Sequence, residues 1–228
     1  MKILNLYAGI GGNRKLWGDE HEITAVEHNQ KIADVYSRFF PADTMVVGDA
    51  HEYLLKHYHE FDFIWSSPPC PTHTKMNIAN QLSPYKDNSA QLKQGGGITP
   101  RYPSMTLYQE IIFLKHFFQG KWCVENVIAY YDPLIPPVEF GKHWFWTNFL
   151  FSTAIPTQGR AMGKNDTAKS IAVRKGYDWD ELEGVDRELV LRNCVEPEVG
   201  VHILKAVEKN TSLFSMEIPA EKKQKSLL

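Results

Sequence analysis

The chain has 228 residues, 43% of them apolar and 23% charged, enough for one hydrophobic core; this excludes a wholly disordered protein and two large independent domains. With 25 Lys and Arg against 27 Asp and Glu the formal charge is −2, so binding to nucleic acid would have to use a local basic patch. The three cysteines, Cys70, Cys123 and Cys194, are odd in number and far apart, which gives neither a disulfide framework nor the paired spacing of a zinc site. No metal is expected, a reducing cytosol is, and no run approaches the ~18 apolar residues of a membrane span.

Short apolar runs alternate with helical patterns from the first residue. Residues 3–7 predict a strand, followed by the glycine-rich Tyr7-Ala8-Gly9-Ile10-Gly11-Gly12. Residues 23–26 predict a second strand ending at Glu27, and Ile32, Val35, Tyr36 and Phe39 then recur at helical spacing. A third strand at 45–47 leads to Asp49, and 51–59 read as a short helix with Leu54, Leu55 and Tyr58 on one side. The fourth strand, 61–65, runs into Ser66-Ser67-Pro68-Pro69-Cys70-Pro71. Residues 71–103 are long, polar and carry Gly95-Gly96-Gly97, which reads as a lid. Leu107, Ile111, Leu114 and Phe118 mark another helix, and residues 122–124 a fifth strand that delivers Glu125-Asn126-Val127. Residues 138–152 predict a hairpin, 153–187 a small glycine- and charge-rich insert, and Val199, Ile203, Ala206 and Val207 a last helix before a polar tail. Such strand–helix alternation implies a parallel sheet covered on both faces, with ligands at the carboxyl ends of the strands.

Four of these strand ends carry candidate chemistry. The glycine loop lets the backbone approach a ligand closely, although a purely structural turn reads the same way. It lacks a Gly or Ala where Arg14 stands and has no Gly-Lys-Ser/Thr, so it fits neither pyrophosphate pattern. Glu27 and Asp49, ending successive strands, suit a ribose diol and an adenine amine, and with the glycine loop they point to an adenosine-containing ligand. Prolines on both sides hold Cys70 at the sheet edge, a poor place for a merely packed thiol, so it reads as a nucleophile. Glu125, emerging from an apolar strand, would be partly desolvated and poised as a proton donor. Cys123, inside that strand, reads as core packing.

At these points the sequence resembles the cytosine-C5 methyltransferase family, enzymes acting on DNA and, in one branch, on transfer RNA. Tyr7-Ala8-Gly9-Ile10-Gly11-Gly12 is similar to the family's Phe-x-Gly-x-Gly-Gly, Glu27 and Asp49 to its two cofactor acids, Pro69-Cys70 to its Pro-Cys, and Glu125-Asn126-Val127 to its Glu-Asn-Val. Arg192-Asn193-Cys194-Val195-Glu196-Pro197 resembles a late Gly-Asn-Ser-Val-x-Pro motif that completes the cofactor pocket. The chain departs from the pattern with Pro71 for a usual Gln and Asn5 for a common acid. The family's Arg-x-Arg, which helps hold the base, has no counterpart in Gly141-Lys142-His143-Trp144-Phe145-Trp146, leaving Lys142, His143 or Arg101 as candidate replacements.

The resemblance implies an α/β, Rossmann-like class I methyltransferase fold: a mostly parallel sheet, helices on both faces and a closing hairpin. It implies S-adenosylmethionine as cofactor, held by Tyr7, Ala8, Gly9, Gly11, Gly12, Glu27, His28, Asp49, Ala50, Pro69, Asn193 and Val195, with Tyr7 stacking near the adenine. Cys70 and Glu125 would be catalytic, and Asn126, Arg101, Lys142 and His143 substrate-binding. The organisation expected is a catalytic and cofactor-binding part at 1–152, a target-recognition insert at 153–191, a C-terminal helix at 192–210 completing the catalytic domain, and a tail at 211–228. Double-stranded DNA is the expected partner, with Arg160, Lys164, Lys169, Arg174 and Lys175 as phosphate contacts. Methylation of cytosine in RNA and a non-catalytic methyltransferase-fold binding subunit are the alternatives, and a cognate restriction enzyme is a further candidate partner.

Overall fold

Alternation along the strands sorts the side chains into two cores. In β1 (Lys2–Leu6), Leu4 and Leu6 enter one buried cluster while Ile3 enters another on the opposite face. The computed structural model describes residues 1–75, 102–154 and 167–216, with side chains to residue 209. β2 (Glu22–Glu27), β3 (Thr44–Val47), β4 (Phe63–Ser66) and β5 (Lys121–Val127) join β1 in a parallel array. β6 (Val138–Phe140) and β7 (His143–Thr147) make an antiparallel hairpin, and β7 pairs antiparallel with β5. The seven strands lie in the order β3-β2-β1-β4-β5-β7-β6. This is the mostly parallel sheet with a closing hairpin that the sequence implied, although the hairpin ends at Thr147 rather than running to residue 152.

Each connecting helix starts where a polar side chain satisfies its free N–H groups. Asn29 Oδ1 accepts from the backbone of Lys31 and Ile32 to begin α1 (Gln30–Phe39), and Asp49 Oδ1 accepts from Glu52 at 2.8 Å to begin α2 (Ala50–His57). α3 (Thr106–Phe117) places Leu107, Ile111 and Leu114 with Leu54 of α2 over the Leu4 and Leu6 face. On the other face, Tyr36 of α1 packs on Ala25, while Ile203, Leu204 and Val207 pack on Ile3, Phe63, Trp65 and Cys123. Cys123 is therefore a core residue.

The described residues of the segment expected as a small insert pack on the glycine loop and α1. α4 (Ala168–Arg174) and α5 (Arg187–Asn193) bury Ile171, Ala172, Val190 and Leu191, with Tyr177 and Leu182 between them, against Ile10 and Val35. Two proposed phosphate contacts are consequently engaged inward. Lys175 is buried, its Nζ donating to the carbonyls of Leu191 and Cys194, and Arg174 lies 3.5 Å from Glu196. Lys169 is exposed. Arg160 and Lys164, most of the proposed lid, and the tail beyond residue 216 lie outside the described residues.

The last helix, α6 (Pro197–Met216), crosses the 3-10 turn Asn13–Leu16 that follows the glycine loop. Its Gly200 sits so close that an added Cβ would lie 2.1 Å from the Asn13 carbonyl oxygen. Asn13 also donates to Asn5 Oδ1 at 2.8 Å, so Asn5 holds this turn through an amide pair where an acid was the common choice. Gly→Ala inside a helix ordinarily stabilises by about 1 kcal/mol. At Gly200 the clash is with backbone, and Gly200→Ala is expected to destabilise by about 1–3 kcal/mol. Urea unfolding checks this; an unchanged or higher midpoint would show that the helix stands further off.

Candidate functional site

The segments that follow β1, β2 and β3 meet at Glu27. Tyr7, at φ 55°, turns the chain sharply out of β1, and Ala8 N–H bonds back to Val26. Glu27 is 5% exposed, yet both its oxygens are oriented: Oε2 accepts from Gly9 N–H at 3.1 Å and Oε1 from Asn29 N–H at 2.9 Å. His28 Nδ1 stands 3.0 Å from the same Oε1, with its ring exposed. A Cβ at Gly9 or at Gly48 would meet nothing within 4 Å, so the space on either side of Glu27 is free to take a ligand. Ala8 and Ala50 are buried at its margins. Asp49 is exposed, with one oxygen already used as the α2 cap.

The other glycines of the loop face the protein instead. A Cβ at Gly11 would strike the Phe40 and Tyr36 rings, and one at Gly12 the Cys194 sulfur and the Val195 carbonyl. Both positions therefore need glycine for packing, and this packing brings the late motif down onto the loop. Val195 is half-buried there and Asn193 is exposed.

The ends of β4 and β5 build the second half of the site. The Trp65 indole donates to Ser67 Oγ, and Ser67 Oγ in turn donates to Glu125 Oε2, both at 2.8 Å. Asn126, expected to face substrate, is buried and its amide donates to the Pro68 carbonyl at 2.9 Å while its oxygen accepts from Val127 N–H. It therefore holds the loop that carries Cys70. Pro69 is exposed and Cys70 half-buried. His73 N–H closes a turn onto the Cys70 carbonyl at 2.9 Å, and the buried His73 ring lies 2.6 Å from the Tyr131 hydroxyl; burial pushes that imidazole down. Burial first, and the Glu125 carboxylate second, push the Cys70 thiol up.

Of the candidate base-holding groups, the structure brings His143 to the site. Its Nε2 is 3.5 Å from Glu125 Oε1, an ion pair whenever the imidazole is protonated. Lys142 is exposed at the hairpin turn, and Arg101 lies outside the described residues. Sequence reasoning missed Glu110. It is fully buried on α3 and accepts from the Tyr7 hydroxyl at 2.5 Å, from Ser66 Oγ, and pairs with His51 Nδ1 at 3.2 Å. An acid three residues after Leu107 and four before Leu114, on the apolar stripe of a helix, was the available signal.

Residues 1–91 match the model of the C-5 cytosine-specific DNA methylase family. A search of curated proteins finds no match. Among solved structures, a DNMT2 variant from Spodoptera frugiperda is 28% identical over 55% of this chain, with a TM-score of 0.35. The Entamoeba histolytica methyltransferase EhMeth is 16% identical over 56% of the chain at 0.32, and TrmN from Thermus thermophilus 16% over 55% at 0.32. The chain spans 35%, 38% and 33% of the lengths of these three proteins. S-adenosylmethionine is the cofactor of the matched family, and the residues present fit it. Glu27 is an oriented acceptor for a diol beside an uncovered Gly9.

The electrostatics of Cys70 give a direct test. Glu125→Gln removes a negative charge that opposes the thiolate, so the Cys70 pKa should fall. The rate of iodoacetamide labelling at Cys70, followed by mass spectrometry against pH, is expected to reach half its maximum at lower pH in Glu125→Gln than in the wild type. Coincident profiles would show that the carboxylate does not act on the thiol.

Proposed function

We propose that the protein transfers a methyl group from S-adenosylmethionine to C5 of cytosine in DNA, through a covalent bond between Cys70 and C6. The observation that carries this reading is the shared sheet edge. Glu27 and the uncovered Gly9 stand at the ends of β2 and β1, while Cys70, on a loop pinned by Asn126 and flanked by Glu125, follows β4. A thiol, a buried acid and a diol acceptor on adjacent strands suit a reaction between a cofactor and a flat, electron-poor ring.

When bound, S-adenosylmethionine supplies a methyl group activated for transfer as a leaving sulfonium substituent. Cytosine C5 is a weak nucleophile, so the chain's own residues must activate it. Cys70, once its proton has passed to water, adds to C6 and pushes electron density to C5. Glu125 stabilises the developing charge by a hydrogen bond or proton at N3, and His143, 3.5 Å from Glu125, is the basic group that can hold that carboxyl in place. After C5 has taken the methyl group, a water molecule takes the C5 proton, and the electron pair of the C5–H bond forms the C5–C6 double bond as the Cys70–C6 bond breaks, releasing the thiolate and restoring the aromatic ring. In a duplex C6 is shielded by stacking, so the base must leave the helix to meet Cys70.

Incubation with labelled S-adenosylmethionine and pools of DNA or RNA, followed by nucleoside analysis, is expected to give 5-methylcytosine in DNA. Label in RNA alone would move the substrate to the alternative class, and no label in either would favour a binding subunit. With fluorine at C5, β-elimination is blocked, and a protein–DNA adduct should accumulate in the wild type and be absent in Cys70→Ala. An adduct mapping to Cys123 or Cys194 would overturn the mechanism.

Cofactor binding gives an independent check. Glu27→Ala is expected to weaken S-adenosylmethionine binding by at least the ~1.5–3 kcal/mol of charge-assisted hydrogen bonds. Unchanged affinity by calorimetry would place the cofactor elsewhere.

A further inference from the structure

One buried carboxylate joins the two halves of the site. Glu110 is 0% exposed, and an apolar side chain in its place would fill the core without the cost of removing a charge from water. What the carboxyl group adds is acceptor capacity, and its three partners sit just past a strand, in the first turn of a helix and at the end of a strand along one sheet edge. Tyr7 begins the glycine loop, 103 residues away in sequence; His51 lies in the first turn of α2, beyond Asp49 and Ala50; Ser66 ends β4, immediately before Ser67-Pro68-Pro69-Cys70.

The partners are suited to donating. Burial and the neighbouring Glu110 push the Tyr7 phenol up, which keeps it a hydrogen-bond donor, and the bond to Glu110 pushes the His51 imidazole up. Tyr7 is also the one described residue other than glycine with a positive φ, a backbone state that L side chains enter at a cost and keep only when their surroundings fix it. Its hydroxyl on Glu110 is such a fixture. The Ser66 hydroxyl bonds the second oxygen of the same group, so a shift of one loop is felt by the other through a single carboxylate.

Resting on the function proposed above, we propose that Glu110 is a positioning residue that keeps the cofactor loop and the nucleophile loop in one register, so that cofactor affinity and Cys70 reactivity depend on each other.

Cross-effects test this, because a residue that merely stabilised the core would not produce them. Tyr7→Phe and Ser66→Ala each remove one hydroxyl while leaving the backbone and most of the packing. Ser66→Ala, on the nucleophile side, is expected to weaken S-adenosylmethionine binding by about three- to tenfold in calorimetry. Tyr7→Phe, on the cofactor side, is expected to change the rate of Cys70 alkylation, measured without cofactor, by a similar factor. Both cross-effects should vanish in a Glu110→Gln background. Val207→Ala, a core truncation on the opposite face, should lower stability without moving either quantity. If Glu110→Gln does not fold, the two single variants decide the matter.

Wild type that binds S-adenosylmethionine, with no change of affinity in Ser66→Ala and none of alkylation in Tyr7→Phe, would overturn the coupling and leave the proposed function standing. Wild type that binds no S-adenosylmethionine would overturn the function and this inference with it.

Discussion

A carboxyl group removed from water must be supplied with hydrogen bonds by the chain around it, and three such groups crowd the carboxyl edge of this sheet. Glu27, Glu110 and Glu125 are each at most 5% exposed. Their demands are met by backbone and hydroxyl donors on the connecting loops: Gly9 and Asn29 for Glu27, Tyr7 and Ser66 for Glu110, Ser67 for Glu125. Loops that would otherwise wander over the surface are thereby drawn in and fixed. The shape of the cleft is largely the geometry of satisfying these acids.

The same constraint sets the resting state of the nucleophile. A reactive cysteine usually has a cation or a helix N-terminus beside it to favour the thiolate. At Cys70 burial and Glu125 act the other way, and both push the thiol up.

Much of this architecture was legible in the sequence. β-branched and aromatic runs too short for helices marked the five parallel strands, and apolar residues on one side marked α1 and α2, because both signals arise locally. The placement of Cys70, Glu125 and Glu27 at one edge of the sheet was legible for a related reason: each follows directly from the end of a parallel strand. The misses depend on distant partners. α4 and α5 have seven residues each, two turns, too few for periodicity to show which side is buried, and their packing on Ile10 and Val35 is decided by tertiary contact. Asn126 looked outward until the Pro68 carbonyl stood opposite it. The approach of His143 to Glu125 follows from the antiparallel register that pairs Val127 with His143 and Glu125 with Phe145. That register joins β5 to β7 past the intervening β6, and spacing along the chain does not encode it.

The packing of α6 on the turn at Asn13 bears on how the molecule comes into being. Gly200 lies against Asn13, and Gly12 against Cys194 and Val195, so the floor of the cleft is made from segments nearly 190 residues apart. Contacts of such high sequence separation carry a large loop-closure cost and form late. During synthesis the sheet strands β1 to β5 can pair as they emerge, but the glycine loop gains its backing only after residues near 200 have left the ribosome. A nascent chain halted before that point would display the motif residues without the surface that shapes them, and a ligand for those residues would meet its finished binding surface only after residues near 200 have packed against the loop.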